Sequence, residues 1–380
     1  MKYRKFGKLD FQSSVLGFGA MRLPQFDRNP ANVDEDESIR MIRYAIDHGV
    51  NYIDTAYPYH MGRSEVIVGK ALRDGYRNKV RVATKLPPWK IRAHEDFDRY
   101  LNEQLERLQV NHIDFYLLHG LNKAFWHKLY DLNVIHWAEK AIADGRIGHL
   151  GFSFHDDFKA FKEIVDAYES WTFCQIQYNF MDIDYQAGTR GLHYAASKGL
   201  AVIVMEPLRG GRLTHKVPTE VNNLWKSAPQ IRTPSEWGLL WVWNHPEVSI
   251  ALSGMTKMEH IMENVNIAER SAPNMLTNQE LALIEQVRKA YQKMYPIPCT
   301  NCGYCMPCKH NVHIPYIFEM YNDAIAYGDT TSARIYYGML KPERRADQCQ
   351  ECGECAEVCP QQMSIPEWLK KAHALLSPRK

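Results

Sequence analysis

Cysteine is distributed very unevenly along this chain of 380 residues. The first 298 residues contain one cysteine, Cys174, and the other eight of the nine lie between positions 299 and 359. Cys174 stands in an apolar run and is predicted to be a buried core residue, because free cysteine is among the most buried residue types. The prolines of Tyr295-Pro-Ile-Pro interrupt regular structure just before Cys299. We therefore predict two domains, residues 1–295 and residues 296–380.

The clustered cysteines form two motifs with short and regular spacing. The first motif, C-x2-C-x2-C-x2-C, runs from Cys299 to Cys308, and the second, C-x2-C-x2-C-x3-C-P, runs from Cys349 to Pro360. One short loop with this spacing can present three thiolates to an iron–sulfur cubane, while the fourth ligand comes from elsewhere. Zinc is the alternative metal, but zinc sites typically use two CxxC pairs rather than runs of three and four. The spacing and the Cys-Pro ending therefore favour iron–sulfur clusters.

The two motifs are also an internal repeat. Ile-Pro follows the last cysteine of each motif at the same offset, as Ile314-Pro315 and Ile365-Pro366. The first copy is one residue shorter and has Lys309 where the second has Pro360. Between the motifs, residues 317–325 and 332–337 have helical spacing. We expect a small, mainly helical domain.

This region resembles the bacterial-type and helical two-cluster ferredoxin domains. The resemblance implies two 4Fe–4S clusters, each held by three cysteines of one motif and one of the other. One cluster would take Cys299, Cys302, Cys305 and Cys359, and the other would take Cys308, Cys349, Cys352 and Cys355. Because the first motif lacks a spacer residue before Cys308, a single cluster is the alternative.

The first 290 or so residues alternate short apolar runs with longer amphipathic segments, such as residues 38–46, 96–108, 134–143 and 155–168. Eight strand–helix units in about 270 residues predict an α/β fold, a (β/α)8 TIM barrel. A doubly wound sheet is the competing architecture, but Gly17-Phe-Gly19 lacks the third glycine of the dinucleotide fingerprint. A hairpin is expected within residues 1–13, and an extra helix over residues 277–294. The predicted strands are residues 14–18, 51–54, 80–84, 113–118, 149–152, 173–177, 201–205 and 248–252.

Polar residues end three successive predicted strands, and the C-terminal strand ends carry the chemistry of barrel enzymes. They are Asp54, Lys85 and His119, with Tyr59 in the loop that follows Asp54. The motifs that contain them, DTAxxYxxGxSE, ATK and LLHG, resemble those of the aldo-keto reductase family over roughly residues 1–290. The resemblance implies that Tyr59 is the proton donor and that Asp54, Lys85 and His119 complete a catalytic tetrad.

Physical chemistry is consistent with these implied roles. A free tyrosine titrates near ~10, so it is a poor acid at neutral pH unless its anion is stabilised. The charge of a nearby Lys85 would stabilise that anion, and Asp54 would hold Lys85 in place. His119 would hydrogen-bond a substrate carbonyl while a nicotinamide delivers a hydride. We therefore expect reversible reduction of an aldehyde or ketone by NAD(P)H.

The same resemblance implies a binding site for NADP or NAD. Ser153 and Gln175 match residues that contact the carboxamide, and Phe154 replaces the asparagine that is usual in the family. His260 replaces an arginine that is common in NADP-preferring relatives, and Lys257 offers a substitute charge, so both cofactors stay open. The residues expected to bind the cofactor are Gly19, Met21, Ser153, Gln175, Met205, Leu208, Gly210, Lys257, Glu263 and Asn264.

Composition narrows the expected partners. A formal net charge of +2 with 24% charged residues gives no basis for a nucleic-acid partner. No run approaches the ~20 apolar residues of a membrane span, and the charged start does not resemble a secretory signal, so we expect a cytoplasmic protein. Its partners would be a small carbonyl or alcohol substrate and an electron-transfer protein, ferredoxin or flavodoxin. Substrate choice would depend on the loops at residues 25–36, 87–93, 121–130 and 213–229.

A second function remains open at this point. A nicotinamide moves two electrons as a hydride, whereas an iron–sulfur cluster moves one electron at a time, and the sequence carries no flavin fingerprint. In the enzyme hypothesis, the clusters have an electron-transfer or a structural role. The competing hypothesis is an electron-transfer or redox-sensing protein whose barrel binds nucleotide without significant turnover.

Overall fold

The computed structural model describes residues 1–27, 29–215, 217–328 and 330–377, with only the backbone of Tyr327. The chain folds into two compact units. The first consists of Met1–Leu208 and Ser235–Thr277, and the second of Arg209–Pro234 and Asn278–Lys380. Among the described residues, no helix is long and apolar enough to cross a membrane.

Parallel strands of the first unit close on themselves. Each of the eight barrel strands pairs with the next one along the chain, and the last pairs with the first. This arrangement confirms the predicted (β/α)8 barrel and excludes the doubly wound sheet. The strands, including two that precede the barrel, are β1 Tyr3–Lys5, β2 Gln12–Ser14, β3 Leu16–Gly19, β4 Tyr52–Asp54, β5 Arg81–Leu86, β6 Ile113–Leu121, β7 Ile147–Phe154, β8 Phe173–Gln177, β9 Ala201–Met205 and β10 Val248–Ser253.

Amphipathic helices surround the strands because their apolar faces repeat at helical spacing. The helix at residues 95–108, for example, buries Phe97, Leu101 and Leu108. The helices described are α1 Glu35–Asp47, α2 Arg63–Ala71, α3 Glu95–Leu108, α4 Lys123–Asp131, α5 Val134–Ala143, α6 Phe158–Asp166, α7 Gly188–Ser197, α8 Thr219–Lys226, α9 Pro234–Trp243, α10 Met258–Arg270, α11 Asn278–Met294, α12 Ile314–Tyr327, α13 Thr330–Met339, α14 Glu354–Glu357 and α15 Ile365–Leu376.

Two of the predicted bounds that differ from the structure have identifiable causes. The first barrel strand begins at Leu16 rather than Ser14, because Ser14 pairs with Tyr3 in the β1–β2 hairpin. The helix predicted from residue 155 begins at Phe158, because the carboxylate of Asp157 accepts a hydrogen bond from the Ala160 N–H at 2.8 Å and caps the helix there.

The β1–β2 hairpin closes the end of the barrel at which the strands begin. Phe6, at the turn of the hairpin, is fully buried. Its ring centroid lies 4.7 Å from that of Phe115 and 5.7 Å from that of Phe173, near the beginnings of β6 and β8. The hairpin and Phe6 thus form a plug at this end of the barrel. A ligand site can form at the other end, where the carboxyl ends of the strands lie.

The second unit is helical around its own apolar core. Ile314 and Ile365, the isoleucines of the repeated Ile-Pro pairs, are both buried in this core and begin α12 and α15. The side-chain amide of Asn322, on α12, accepts a hydrogen bond from the Ile297 N–H at 3.0 Å and donates one to the Ile297 carbonyl at 2.7 Å. These two bonds fix the chain just ahead of Cys299.

Candidate functional site

The carboxyl ends of neighbouring strands bring the four predicted catalytic residues together. The Lys85 ammonium donates to Asp54 Oδ1 at 2.6 Å and to the Thr55 carbonyl at 2.8 Å. The same nitrogen lies 5.1 Å from the centroid of the Tyr59 ring. The rings of Tyr59 and His119 meet edge to face, with centroids 5.9 Å apart. All four side chains are buried.

Burial dominates the electrostatics of this group. It raises the pKa of Asp54 and lowers the pKa of Lys85, and the ion pair between them opposes both shifts. Burial also holds the pKa of His119 well below its ordinary value, and the charges of Lys85 and His155 lower it further. His119 is therefore a neutral imidazole at physiological pH, which can donate a hydrogen bond without carrying charge.

Trp89 borders the site from one of the loops predicted to choose the substrate. It lies in a short 3-10 turn, Pro88–Lys90, directly after β5. Its ring centroid is 5.2 Å from that of His119 and 6.5 Å from that of Phe125, and 39% of its side chain is exposed. An aromatic wall thus stands beside His119 at the mouth of the barrel.

A buried carboxylate that the sequence reasoning passed over lies behind Lys85. Glu65, the last residue of the DTAxxYxxGxSE motif, accepts hydrogen bonds from Thr84 Oγ1 and Gln104 Nε2, each at 2.6 Å, and pairs with Arg107 at 3.2 Å. Gln104 also donates to the Lys85 carbonyl at 3.0 Å. Burial raises the pKa of Glu65, and the hydrogen bond from Thr84 opposes that rise most. The sequence signal that could have identified Glu65 was its place in the DTAxxYxxGxSE motif.

His60, which follows Tyr59, is a second residue that the sequence reasoning missed. Its Nε2 accepts a hydrogen bond from the Leu23 N–H at 3.0 Å, and its Nδ1 lies 3.0 Å from the Pro30 carbonyl oxygen. The imidazole therefore joins the loop after β3 to the turn that carries Tyr59. His60 and Met61 both have positive φ, 52° and 56°, so this turn is tightly constrained.

Four candidate cofactor residues lie on barrel strands, toward the ends that carry the tetrad: Gly19, Ser153, Gln175 and Met205. Gly19 and Asp54 are register partners on β3 and β4, and Ser153 and Gln175 are partners on β7 and β8. Gln175 Nε2 contacts the sulfur of Met205 at 3.7 Å. The buried Gln175 Oε1 has no hydrogen-bond partner among the described residues. A free acceptor at this point suits a ligand that carries an amide N–H.

The remaining cofactor candidates are spread over both units. Asn264, on α10, donates to Ser253 Oγ at 3.0 Å, whereas Lys257 is exposed at the start of the same helix. Glu263 is half-buried on α10, Met21 lies in a 3-10 turn after β3, and Leu208 ends the first unit. Gly210 belongs to the second unit, where it has a φ of 66°.

The clustered cysteines surround two hollows in the second unit. One hollow, the inner site, is lined by Cys299, Cys302, Cys305 and Cys359. The other, the outer site, is lined by Cys308, Cys349, Cys352 and Cys355, together with the edge of Cys305. No set of three or more His, Cys, Asp or Glu side chains in the described part of the chain is placed to hold a metal ion directly. Four thiols around a hollow fit a cubane cluster, whose ligands stand apart on different corners.

The backbone repeats along with the sequence in the two motifs. Asn301 and Glu351, each two residues after the first cysteine of a motif, have φ of 56° and 55°. Gly303 and Gly353 have φ of 81° and 80°, and Asn311 and Gln362, each three residues after the last cysteine, have φ of 61° and 49°. The two motifs therefore share these three turns, although Glu354–Glu357 of the second motif form α14 and the described residues 304–307 of the first form no helix. Cys308, like Cys359, stands three residues before the last of these turns.

Comparison with known proteins finds two family matches along the chain. The model of the aldo/keto reductase family matches residues 15–289, and that of the 4Fe-4S dicluster domain matches residues 298–364. Probable aldo-keto reductase 1 of Glycine max is 26% identical over 300 residues, 69% of this chain and 82% of that protein. Methylglyoxal reductase YeaE of Escherichia coli is 28% identical over 308 residues, 76% of this chain and 96% of that protein.

Solved structures show the same likeness. An aldo-keto reductase from Bacillus halodurans in its holo form superposes with a TM-score of 0.62 at 25% identity, over 76% of this chain and 96% of that one. An aldo-keto reductase from Klebsiella pneumoniae in complex with NADPH has a TM-score of 0.59 at 26% identity, over 76% and 95% of the two chains.

The closed parallel barrel, its strand-end site and these matches define an NAD(P)-dependent oxidoreductase. The chain belongs to the aldo/keto reductase family and carries a 4Fe-4S dicluster domain after the barrel, as its motifs predicted.

Proposed function

We propose that this protein catalyses the reversible reduction of an aldehyde or ketone by NAD(P)H, with Tyr59 as the proton donor. The observation that carries the proposal is the buried Asp54–Lys85 ion pair, whose ammonium lies 5.1 Å from the centroid of the Tyr59 ring. A relative at 28% identity is named a methylglyoxal reductase, and methylglyoxal is a carbonyl compound of this class.

Charge placement gives Tyr59 its acidity in this proposal. A phenol is a weak acid, so proton transfer to a carbonyl oxygen requires stabilisation of the phenolate that remains. The Lys85 ammonium provides that stabilisation in a site from which water is largely excluded. Asp54 fixes the ammonium and keeps it charged against the cost of burial.

His119 has a separate part in the same step. Because burial keeps its imidazole neutral, it can donate a hydrogen bond to the substrate oxygen and orient the carbonyl toward Tyr59. The nicotinamide, when bound, supplies a hydride to the carbonyl carbon. Tyr59 delivers the proton to the oxygen, so the C=O bond becomes a CH–OH group and the electron count balances.

Gln175 and Ser153 are proposed to hold the carboxamide of the nicotinamide. The unpaired Gln175 Oε1 suits a carboxamide N–H, and Ser153 lies opposite Gln175 across the β7–β8 pair. Asn264, Glu263 and Lys257 on α10 are proposed for the adenosine half. The NADPH complex of the Klebsiella pneumoniae relative makes NADPH the first cofactor to test and NADH the second.

The cysteine motifs are proposed to hold two 4Fe–4S clusters, one at the inner site and one at the outer site. The four-thiol lining of each hollow and the three turns that the two motifs share support this number. One-electron exchange with a ferredoxin or flavodoxin is the proposed role, because these carriers and the clusters both move single electrons. Anaerobically purified protein should contain about eight iron and eight sulfide per chain.

The reductase activity is tested with Tyr59→Phe in the anaerobic, iron-loaded protein. We expect carbonyl-dependent NADPH oxidation to fall by ~100-fold or more, since positioned acid catalysis is worth about 10²–10⁴. NADPH binding, followed by fluorescence, should be retained. Tyr57→Phe is the matched control, because Tyr57 packs under Arg107 and is not assigned to the tetrad. A wild-type protein that binds NADPH but reduces no carbonyl in a broad panel would favour the redox-protein hypothesis.

A further inference from the structure

The two cysteine sites differ in their access to solvent. Cys299 of the inner site is buried, with 6% of its surface exposed, whereas the equivalent Cys349 of the outer site is half-buried. In the same way, Cys302 of the inner site is half-buried, whereas the equivalent Cys352 of the outer site is exposed. The two motifs are repeats of one another, so this difference arises from what packs against each motif rather than from the motifs themselves.

The walls of the inner site are buried. It is closed by apolar side chains of α12 and α15 and by the chain after Cys359, and four of these side chains are at most 7% exposed. These wall residues are Ile314, Phe318, Met363 and Ile365. A cluster there would be separated from water by the core of the unit.

Much of the wall of the outer site lies at the surface, although the buried Ile314 and Leu369 also line it. Gln350, Glu354 and Lys309 line it and are all exposed, and Val358 is 47% exposed. Lys309 pairs with Glu354 at 2.8 Å across the two motifs, and both side chains are more than half exposed. An exposed pair of this kind contributes little to stability and is easily opened, so it is a weak barrier to an approaching carrier.

We propose that electrons enter and leave this protein through the outer site, bound by Cys308, Cys349, Cys352 and Cys355, and that the inner site exchanges electrons only by way of it. The proposal depends on the two clusters of the proposed function. A one-electron donor such as reduced methyl viologen loses one electron, the outer cluster gains it, and no bond is made or broken.

Solvation and geometry both support electron entry at the outer site before the inner site. Reduction adds a negative charge to a cluster, and burial disfavours the more highly charged state. The solvated outer cluster is therefore the easier one to reduce and holds the first electron. Cys305 lines both hollows, so the two clusters share a wall through which a second transfer can pass.

Two single-cluster variants of the full chain test the proposal. Cys302→Ser removes a ligand from the inner site, and Cys352→Ser removes one from the outer site. After anaerobic reconstitution, stopped-flow oxidation by ferricyanide of the dithionite-reduced protein should be at least about tenfold faster in Cys302→Ser than in Cys352→Ser. Equal rates, or the opposite order, would overturn the proposal.

The wild-type protein provides a measurement that does not depend on those variants. Iron release to a soluble chelator should show two phases of equal amplitude, the faster one from the outer site. In a separate measurement, a soluble paramagnetic relaxant should broaden the electron spin resonance signal of the first electron taken up, because that electron lies on the outer cluster. One uniform phase, or an unaffected first signal, contradicts the proposal even if both variants fail to fold. Wild-type protein with about four iron atoms per chain contradicts the two-cluster assignment itself, so the two failures are distinguishable.

Discussion

The ammonium nitrogen of Lys85 lies 2.6 Å from a carboxylate oxygen of Asp54, and neither side chain is more than 3% exposed. Burial of two charges costs solvation energy that their attraction often fails to recover, so such a pair is weak evidence for a role in stability. Its position beside the Tyr59 ring gives the pair a use in the proposed proton transfer instead.

The first prediction is that the Asp54–Lys85 pair is required for activity but not for stability. Asp54→Ala leaves the Lys85 charge buried without its carboxylate and should lower the free energy of unfolding by about 3–5 kcal/mol. The double variant Asp54→Asn/Lys85→Met removes both charges and should recover most of that loss in urea titrations. Its carbonyl reduction should stay as low as that of Lys85→Met alone. Recovery of turnover in the double variant would show that the pair has no part in catalysis.

The pH dependence of turnover is expected to show no titration of His119. Its pKa is lowered well below 6.5, so the imidazole remains neutral as pH falls from 8 to about 6. His119→Gln, which keeps an N–H donor, should therefore retain more kcat than His119→Leu. A pH–rate profile from 5.5 to 9 checks this. A wild-type inflection near 6.5 that disappears in His119→Gln would contradict the neutral imidazole.

His60 should make the stability of the barrel unit sensitive to acid. Burial lowers its pKa, so between that lowered value and about 6.5 the unfolded chain binds a proton that the folded chain does not. The stability is fully present above about 6.5 and is lost as pH falls through this window. His60→Gln can still accept from the Leu23 N–H and should cost about 1 kcal/mol less than His60→Ala at pH 7.5.

The His60 variants are compared by urea unfolding at pH 7.5 and pH 5.5. The wild-type protein should lose more stability between these two pH values than either variant, because neither variant has a titrating group at this position. Limited proteolysis should cut the loop after β3 faster in His60→Ala. Identical pH dependence in all three proteins would show that His60 does not govern the acid response.

The plug at the far end of the barrel should matter for stability and not for chemistry. Phe6→Ala empties a fully buried site and should cost about 3–5 kcal/mol of unfolding free energy. Phe26→Ala, at a side chain that is 70% exposed, should change the stability by less than about 0.5 kcal/mol. Below its unfolding transition, Phe6→Ala should keep the wild-type kcat. A large fall in kcat without unfolding would contradict this division of roles.

Asn322 should control how firmly the first cysteine motif is held. Asn322→Ala removes both hydrogen bonds to Ile297 and should cost about 1–3 kcal/mol, since it leaves buried backbone groups unpaired. Iron should be lost to a chelator faster than from the wild-type protein. Asn223→Ala, at an exposed position in the same unit, is the control. Unchanged iron release would show that the two hydrogen bonds between Asn322 and Ile297 do not support the inner site.

Much of the fold could be predicted from the sequence, because strands and helices follow from the local pattern of apolar residues. The strands at residues 173–177 and 201–205 were predicted with the bounds that the structure has, since a buried parallel strand is an uninterrupted apolar run. Bounds were wrong where a contact distant in sequence decides them, as at Ser14, whose partner is Tyr3. Residues 121–130, predicted as a loop, include most of α4, whose start is capped locally by the side chain of Asn122.

The candidate site divides in the same way. Position at a strand end marked Asp54, Lys85 and His119, because a closed parallel barrel brings all such ends to one rim. The link from His60 to Leu23 and Pro30, and that from Gln104 to Glu65 and the Lys85 carbonyl, join segments whose proximity no local pattern encodes.

The two cysteine motifs separate what the sequence determines from what the tertiary structure determines. Their spacing alone determined an iron–sulfur domain and a duplicated loop, because thiolate geometry is local. Only the tertiary structure places Cys308 beside the hollow that Cys349, Cys352 and Cys355 line. It alone also shows that Cys299 and Cys302 are more buried than the equivalent Cys349 and Cys352. Exposure depends on which side chains pack from elsewhere, and two copies of one motif cannot encode that difference themselves.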